Sequence, residues 1–422
     1  TLATSHRERR LSCCLGARIL VQRTCNNMRR ATQCCARVAA GTPSRSTLSV
    51  LRTARRPLSD GSGGAVRFAE IKEMPEAVRA VERETDVVDG APLFVEREAT
   101  RRVVEALERR AANPDEGDGL DADADFTCPN CGFTTFASRS FRLTCAKCGR
   151  CRDELPPRDA YLLTGARGAG KSVALAQIVT QARARGWLCL FVARARDVGH
   201  HGDYVVPSPH HAGRFEEPSR SREVLEAFRE AHGTDLATVK CTDAAAERWG
   251  GATLREVVGA ALDDKKRGDE ASTALADVVD GLRAHDAAPV LIAVDEYSAL
   301  FEPATAYYYD GVSLEPDDLV HIRALRALGN AGVAPERRLA RGAYVLADSQ
   351  SRGGAGLGPR DRRLGIAHAP FEIPVGEFSD AEFAAAVDRY AAAGFGAADD
   401  VAALKLATQR VPGLLFERLA LM

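Results

Sequence analysis

The run Gly165-Ala-Arg-Gly-Ala-Gly-Lys-Ser172 sets three glycines, a lysine and a hydroxyl at the spacing of a phosphate-binding loop. Gly165, Gly168 and Gly170 let the backbone turn tightly, so amides of the stretch that includes Arg167, Ala169 and Val173 approach the phosphates at the positive end of the next helix. Lys171 is expected to reach the β- and γ-phosphates and Ser172 to give its hydroxyl to magnesium. The competing reading is a Gly-rich turn that holds no ligand. The apolar strand before the run and the helix expected over Val173 to Arg185 argue against it.

A second acidic feature lies about 130 residues downstream, in Pro289-Val-Leu-Ile-Ala-Val-Asp-Glu296. Two carboxylates at the tip of a buried strand are costly without a cation or water beside them. Asp295 and Glu296 are therefore the candidate catalytic pair, Asp295 holding magnesium through water and Glu296 orienting or deprotonating the attacking water. A third strand ends in Asp348-Ser349-Gln350, where Ser349 is a candidate sensor of the γ-phosphate and ordinary turn chemistry is the alternative. Arg352, Arg360, Arg362 and Arg363 follow in a Gly-rich loop, read as a solvated surface or as a local basic patch for phosphates.

Cys128-Pro-Asn-Cys131 and Cys145-Ala-Lys-Cys148 are two CxxC pairs thirteen residues apart, each followed by glycine. Four thiolates at that spacing surround a tetrahedral zinc, and with no base nearby the metal is expected to be structural. Cys151 is a spare thiol or a substitute ligand. Twelve cysteines in all, five of them before residue 60, form no secreted disulfide framework. His200-His201 and His210-His211 are read as solvated loop residues rather than ligands.

These residues need an α/β scaffold. Apolar runs at Tyr161 to Thr164, Trp187 to Ala193, Val290 to Asp295, Ala343 to Ala347 and Phe371 to Val375 alternate with helical stretches, which predicts a mostly parallel five-stranded sheet. Helices are expected near Glu96 to Arg110, Arg222 to Ala231 and Leu254 to Leu262, the last opened by a Thr253/Glu256 capping box. Ser379 with Glu382 opens another, before helices that run to the end. The fold class is an ATPase-like P-loop NTPase with a helical C-terminal lid and an N-terminal zinc-knuckle insertion.

Residues 1–59 carry twelve Arg, no Lys and one acid, Glu8, so the rest of a chain of net charge −1 stands at about minus twelve. An Arg-rich, nearly acid-free segment without a long apolar run has the composition of a mitochondrial transit peptide, with removal expected near Arg55-Arg56; a disordered basic tail is the alternative. The acidic body argues for protein partners and limits any RNA contact to a local basic patch. No stretch is long enough to insert into a membrane. The expected divisions are 1–59 transit peptide, 60–125 extension and acidic linker, 126–154 zinc knuckle, 155–376 nucleotide-binding domain and 377–422 helical lid.

Over residues 155–422 the sequence resembles the death-associated protein 3 family, the GTP-binding subunit of the mitochondrial small ribosomal subunit. The likeness is carried by Gly165 to Ser172, Trp187 with the strand after it, Arg214-Phe-Glu-Glu-Pro218, Leu291 to Asp295 with Ala299-Leu-Phe301, Ser349-Gln350 and Pro412-Gly-Leu-Leu-Phe-Glu-Arg418. It implies a matrix protein of the mitoribosomal head with GTP or GDP in its cleft and small-subunit proteins as partners, supporting mitochondrial translation. Guanine rests on the resemblance alone, since no Asn-Lys-x-Asp base-reading motif is present and an Asp-Glu strand end is the mark of ATPase-like folds; ATP is the alternative. Glu296 is an acid that some members lack, which leaves weak hydrolysis open. The rivals are an AAA-like remodelling ATPase, with Arg337, Arg338 or Arg418 as a trans-acting finger, and a nucleotide-dependent signalling switch.

Overall fold

In the computed structural model the described residues are 66–71, 74–85, 93–112, 126–127, 134–135, 160–263, 267–302, 305–329, 332–333, 337–348, 371–395 and 401–420. The segments expected as transit peptide and acidic linker, the five clustered cysteines, Ser349, Gln350 and the arginines at 352, 360, 362 and 363 lie outside them.

Five short apolar segments become the strands β1 (Ala160–Thr164), β2 (Leu188–Val192), β3 (Val290–Val294), β4 (Gly342–Ala347) and β5 (Phe371–Pro374). They pair in the order β5-β1-β4-β3-β2, every neighbour parallel. Each lies within a residue or so of its expected bounds.

Strand periodicity sorts their side chains onto two faces. Leu162, Leu190, Ile292 and Leu346 enter one core, while Tyr161, Phe191, Leu291 and Val345 enter the other. The second face is covered by α1 (Glu98–Ala112) and α2 (Lys171–Ala184), through Val103, Leu107, Leu175 and Ile178. The first is covered by α3 (Pro218–His232), α4 (Leu254–Asp263), α5 (Ala271–Ala284) and α6 (Val320–Leu325), through Phe228, Val257, Leu275 and Ile322.

The β2–β3 insertion is held by charged residues that stay buried. Glu217 caps α3 by accepting the Arg220 amide at 3.0 Å, and Glu216 accepts the Thr273 amide at the start of α5 at 2.8 Å. Both carboxylates are fully buried, which gives the Arg-Phe-Glu-Glu-Pro run a structural role. Helix α5 was not expected, because Asp277 and Gly281 interrupt its apolar pattern. Asp277 is satisfied there by the Trp249 indole at 2.7 Å and by Arg248, also at 2.7 Å.

The last helices, α7 (Asp380–Ala392), α8 (Val401–Thr408) and α9 (Pro412–Ala420), close a small core of their own around Phe383, Tyr390, Leu404 and Leu415. Both expected capping boxes form: Ser379 with Glu382, and Thr253 with Glu256. Among the described residues no helix is long and apolar enough to cross a membrane.

Candidate nucleotide-binding site

The loop between β1 and α2 has the backbone its glycines allow. Gly165, Gly168 and Gly170 have φ of 146°, 80° and 95°, values that side-chain-bearing residues rarely adopt. Space is also exhausted at the first, where a Cβ would stand 2.1 Å from the Val375 carbonyl oxygen. Helix α2 starts at Lys171, two residues before the expected start, because the left-handed Gly170 is its N-cap. No side chain caps that end, so its first-turn amides are donors for an anion. Arg167 stands exposed at the loop tip, Ala169 is buried, and Ser172 and Val173 are half-buried in the first turn.

Lys171 lies inside the loop with 8% of its surface exposed, and its Nζ donates to the Gly165 and Ala166 carbonyl oxygens at 2.8 and 3.0 Å. Burial lowers its pKa, and the charges of Asp348 and Asp295 oppose that shift. Because β4 stands between β1 and β3, the carboxyl end of β4 delivers Asp348 between the loop and Asp295. Asp348 is 1% exposed and its amide bonds the Leu163 carbonyl at 3.0 Å. Asp348, the first residue past the strand, therefore brings a third carboxylate to the site, while Ser349 lies outside the described residues.

Asp295 meets the loop directly. Burial pushes its carboxyl up to about 6, Glu296 adds to the rise, and the Ser172 hydroxyl and Lys171 hold it down. A hydroxyl close enough to a buried carboxylate to lower its pKa, with a lysine beside them, forms a donor set that fits a magnesium ion. Glu296 sits elsewhere. Its backbone is left-handed, with φ of 55°, and its amide donates to Asp295 Oδ1 at 2.8 Å. Its carboxyl, raised mainly by burial, accepts the Arg196 amide, beyond the end of β2. Since β2 and β1 lie on opposite sides of β3, that bond draws Glu296 away from Lys171. Beside it Asp197 is held by Arg79, Arg194 and His201 at 3.1, 3.2 and 2.9 Å.

One residue that sequence reading did not single out supports the loop from behind. Arg97 donates to the Ala169 carbonyl at 3.2 Å and to those of Gly376 and Glu377 at 2.8 Å each. It also pairs with Glu382 at 3.4 Å and lies over the Phe378 ring. Partners up to 280 residues away in sequence leave no local pattern to find.

The expected solvated histidines are partly corrected. His200 and His201 end the helix Ala195–His200, half-buried and exposed respectively, and pair with Glu302 and Asp197. His210 pairs with Glu270 in a turn. No group of three metal-ligating side chains occurs among the described residues.

The family model described as mitochondrial ribosomal death-associated protein 3 matches residues 153–414. No curated protein sequence matches the chain. Among solved structures, the Walker-type ATPase of Pyrococcus abyssi is similar at 13% identity with a TM-score of 0.32, a likeness covering 62% of this chain and 65% of that one.

Proposed function

Because the chain belongs to the mitochondrial ribosomal death-associated protein 3 family, we propose that it is a nucleotide-stabilised subunit of the mitochondrial small ribosomal subunit that supports mitochondrial translation. The family places it in mitochondria. The observation that carries the nucleotide is Lys171 buried inside the loop beside the carboxylates of Asp348 and Asp295, at the carboxyl ends of parallel strands where such folds bind ligands. GTP or GDP is the proposed ligand and ATP the alternative.

Ser172 and Asp295 would hold magnesium, which when bound neutralises phosphate charge. Lys171 would leave the Gly165 and Ala166 carbonyls for the β- and γ-phosphates, and the first-turn amides of α2 would bond the phosphate oxygens. With Glu296 drawn toward Arg196, the arrangement favours holding the nucleotide over hydrolysing it. Cys128, Cys131, Cys145 and Cys148 are proposed to bind a structural zinc; the antiparallel pair Phe126–Thr127 and Thr134–Thr135 flanks the first CxxC and supports this.

Thermal unfolding of the full chain with magnesium and GTP, GDP or ATP tests the ligand, and sedimentation of mitochondrial extract tests the assembly. A guanine-dependent rise in melting temperature with the protein in the small-subunit peak is expected. A free ring of subunits stabilised only by ATP would overturn the reading in favour of a remodelling ATPase.

A further inference from the structure

A basic cleft in an acidic body lies on the helical layer that covers the first face of the sheet. It measures about 370 Å³ and lies among the turn at residues 211–214, α5 and α6. Arg214, Arg283, Arg323 and Arg337 line it with His211, against one carboxylate, Asp280.

Most bonds that hold these guanidinium groups do not neutralise them. Arg283 donates to the Tyr344 hydroxyl at 3.1 Å and the Ala324 carbonyl at 3.0 Å, besides pairing with Asp280 at 2.7 Å. Arg214 donates to the Asp317 carbonyl at 2.6 Å and only grazes the Asp318 carboxylate at 3.5 Å. Arg337 donates to the Arg326 carbonyl. Arg323 is exposed, and its guanidinium makes no hydrogen bond or ion pair among the described residues. His211 Nε2 is shut off from water with no hydrogen-bond partner. Cations of one sign gathered in a concavity repel one another and concentrate the field, a cost that an arriving anion removes.

We propose that this cleft is a phosphodiester-binding site through which the protein grips an RNA backbone. The guanidinium fork matches phosphate oxygens, and all four cations are arginines. The rest of the wall is alanine and one valine. It therefore lacks both the aromatic faces that stack bases and the large apolar pockets that anchor a peptide, which favours a backbone grip over base reading or an acidic protein segment. The site is separate from the nucleotide: Arg283 precedes β3 and Arg337 precedes β4, whereas Lys171, Asp295 and Asp348 stand at the strands' carboxyl ends. The proposal rests on the ribosomal reading above but not on the nucleotide.

The test uses the full chain and a fluorescent RNA hairpin of mixed sequence, titrated at several salt concentrations, with a polyglutamate peptide in parallel. Wild-type protein should bind the hairpin with an affinity that falls as salt rises. Arg323→Glu, at an exposed position, should weaken it ~10-fold and reduce the salt slope by about one. Lys171→Ala should bind RNA as wild type does, and Arg323→Glu should keep its nucleotide-induced thermal shift, so that failure of either site is seen on its own. No RNA binding, an affinity unchanged in Arg323→Glu, or polyglutamate bound more tightly and lost in its place would overturn the proposal.

Discussion

The backbone amide of Gly413 donates to the carbonyl oxygen of Gly168 at 2.9 Å, joining the first turn of the last helix to the phosphate-binding loop. Val411 closes the contact from one side, and Arg97 supports the next residues of the loop from the other. Loop conformation and the seating of the C-terminal helices are therefore one equilibrium, in which a nucleotide that fixes the loop also fixes those helices.

Substitution at this joint tests that coupling. A Cβ on Gly413 would lie 3.1 Å from the Gly168 Cα, backbone against backbone, so the loop or α9 must give by a few tenths of an ångström. Gly413→Ala should cost about 1–3 kcal/mol, in the range of overpacked positions, and should shrink the thermal shift produced by nucleotide. Calorimetry with and without nucleotide reads both. A variant destabilised equally in the two conditions would show that the joint is only structural.

Removing the lysine should separate ligand stabilisation from intrinsic stability. A nucleotide that binds only the folded state adds about 3–4 kcal/mol at a hundred to a thousand times its dissociation constant. Lys171→Ala should lose that gain, and with it incorporation into the small subunit. Quantitative sedimentation beside a melting curve checks both; normal incorporation of a protein that no longer binds nucleotide would make the ligand dispensable for assembly.

How much of this was legible in the sequence depended on the range of the interaction. Gly165 to Ser172 and Asp295 were readable because loop, strand and helix follow one another within a few residues, and the five strands because each is a short apolar run. Strand order was not readable: nothing local to Asp348 says that β4 inserts between β1 and β3. Arg97 and Gly413 reach the loop across 72 and 245 residues, and the cleft gathers arginines from four separate stretches. Helix α5 was hidden for a different reason, since the charge that breaks its pattern, Asp277, finds its partners only in the folded chain.

Asp295 should give the nucleotide-free protein a recognisable pH profile. Its folded-state pKa is raised from 3.8 to about 6, so between those values the folded protein binds more protons than the unfolded chain. Stability due to this group is present below pH 3.8 and falls as pH rises to about 6, by about 3 kcal/mol in all. Asp295→Asn, which carries no charge, should lack that decline and be the more stable protein at neutral pH without ligand, while losing magnesium-dependent nucleotide binding. Denaturant unfolding from pH 4 to 8 measures the difference between the two proteins, which cancels the carboxyls they share. A difference that does not change with pH would mean that Asp295 is already ionised in the folded state.

Glu296 decides between a clamp and a working NTPase. Its carboxyl accepts the Arg196 amide and its backbone is left-handed, so activating a water beside the phosphates requires it to swing back across β3. Glu296→Gln removes the basic oxygen but keeps the shape, and the neighbouring Asp295 keeps its role toward magnesium. An amide oxygen also accepts the Arg196 N–H, so the variant should fold and bind nucleotide as wild type does. If the protein holds its nucleotide without needing to hydrolyse it, small-subunit assembly in cells expressing only Glu296→Gln proceeds at the normal rate. If turnover drives a step of maturation, the variant traps the triphosphate and blocks assembly even beside the wild-type protein, as in ATPases whose water-activating acid is removed. The expected outcome is normal assembly, read from the ratio of mature small subunits to precursors on a gradient and from the nucleotide extracted with them. A dominant block with triphosphate retained would turn the structural subunit into an enzyme.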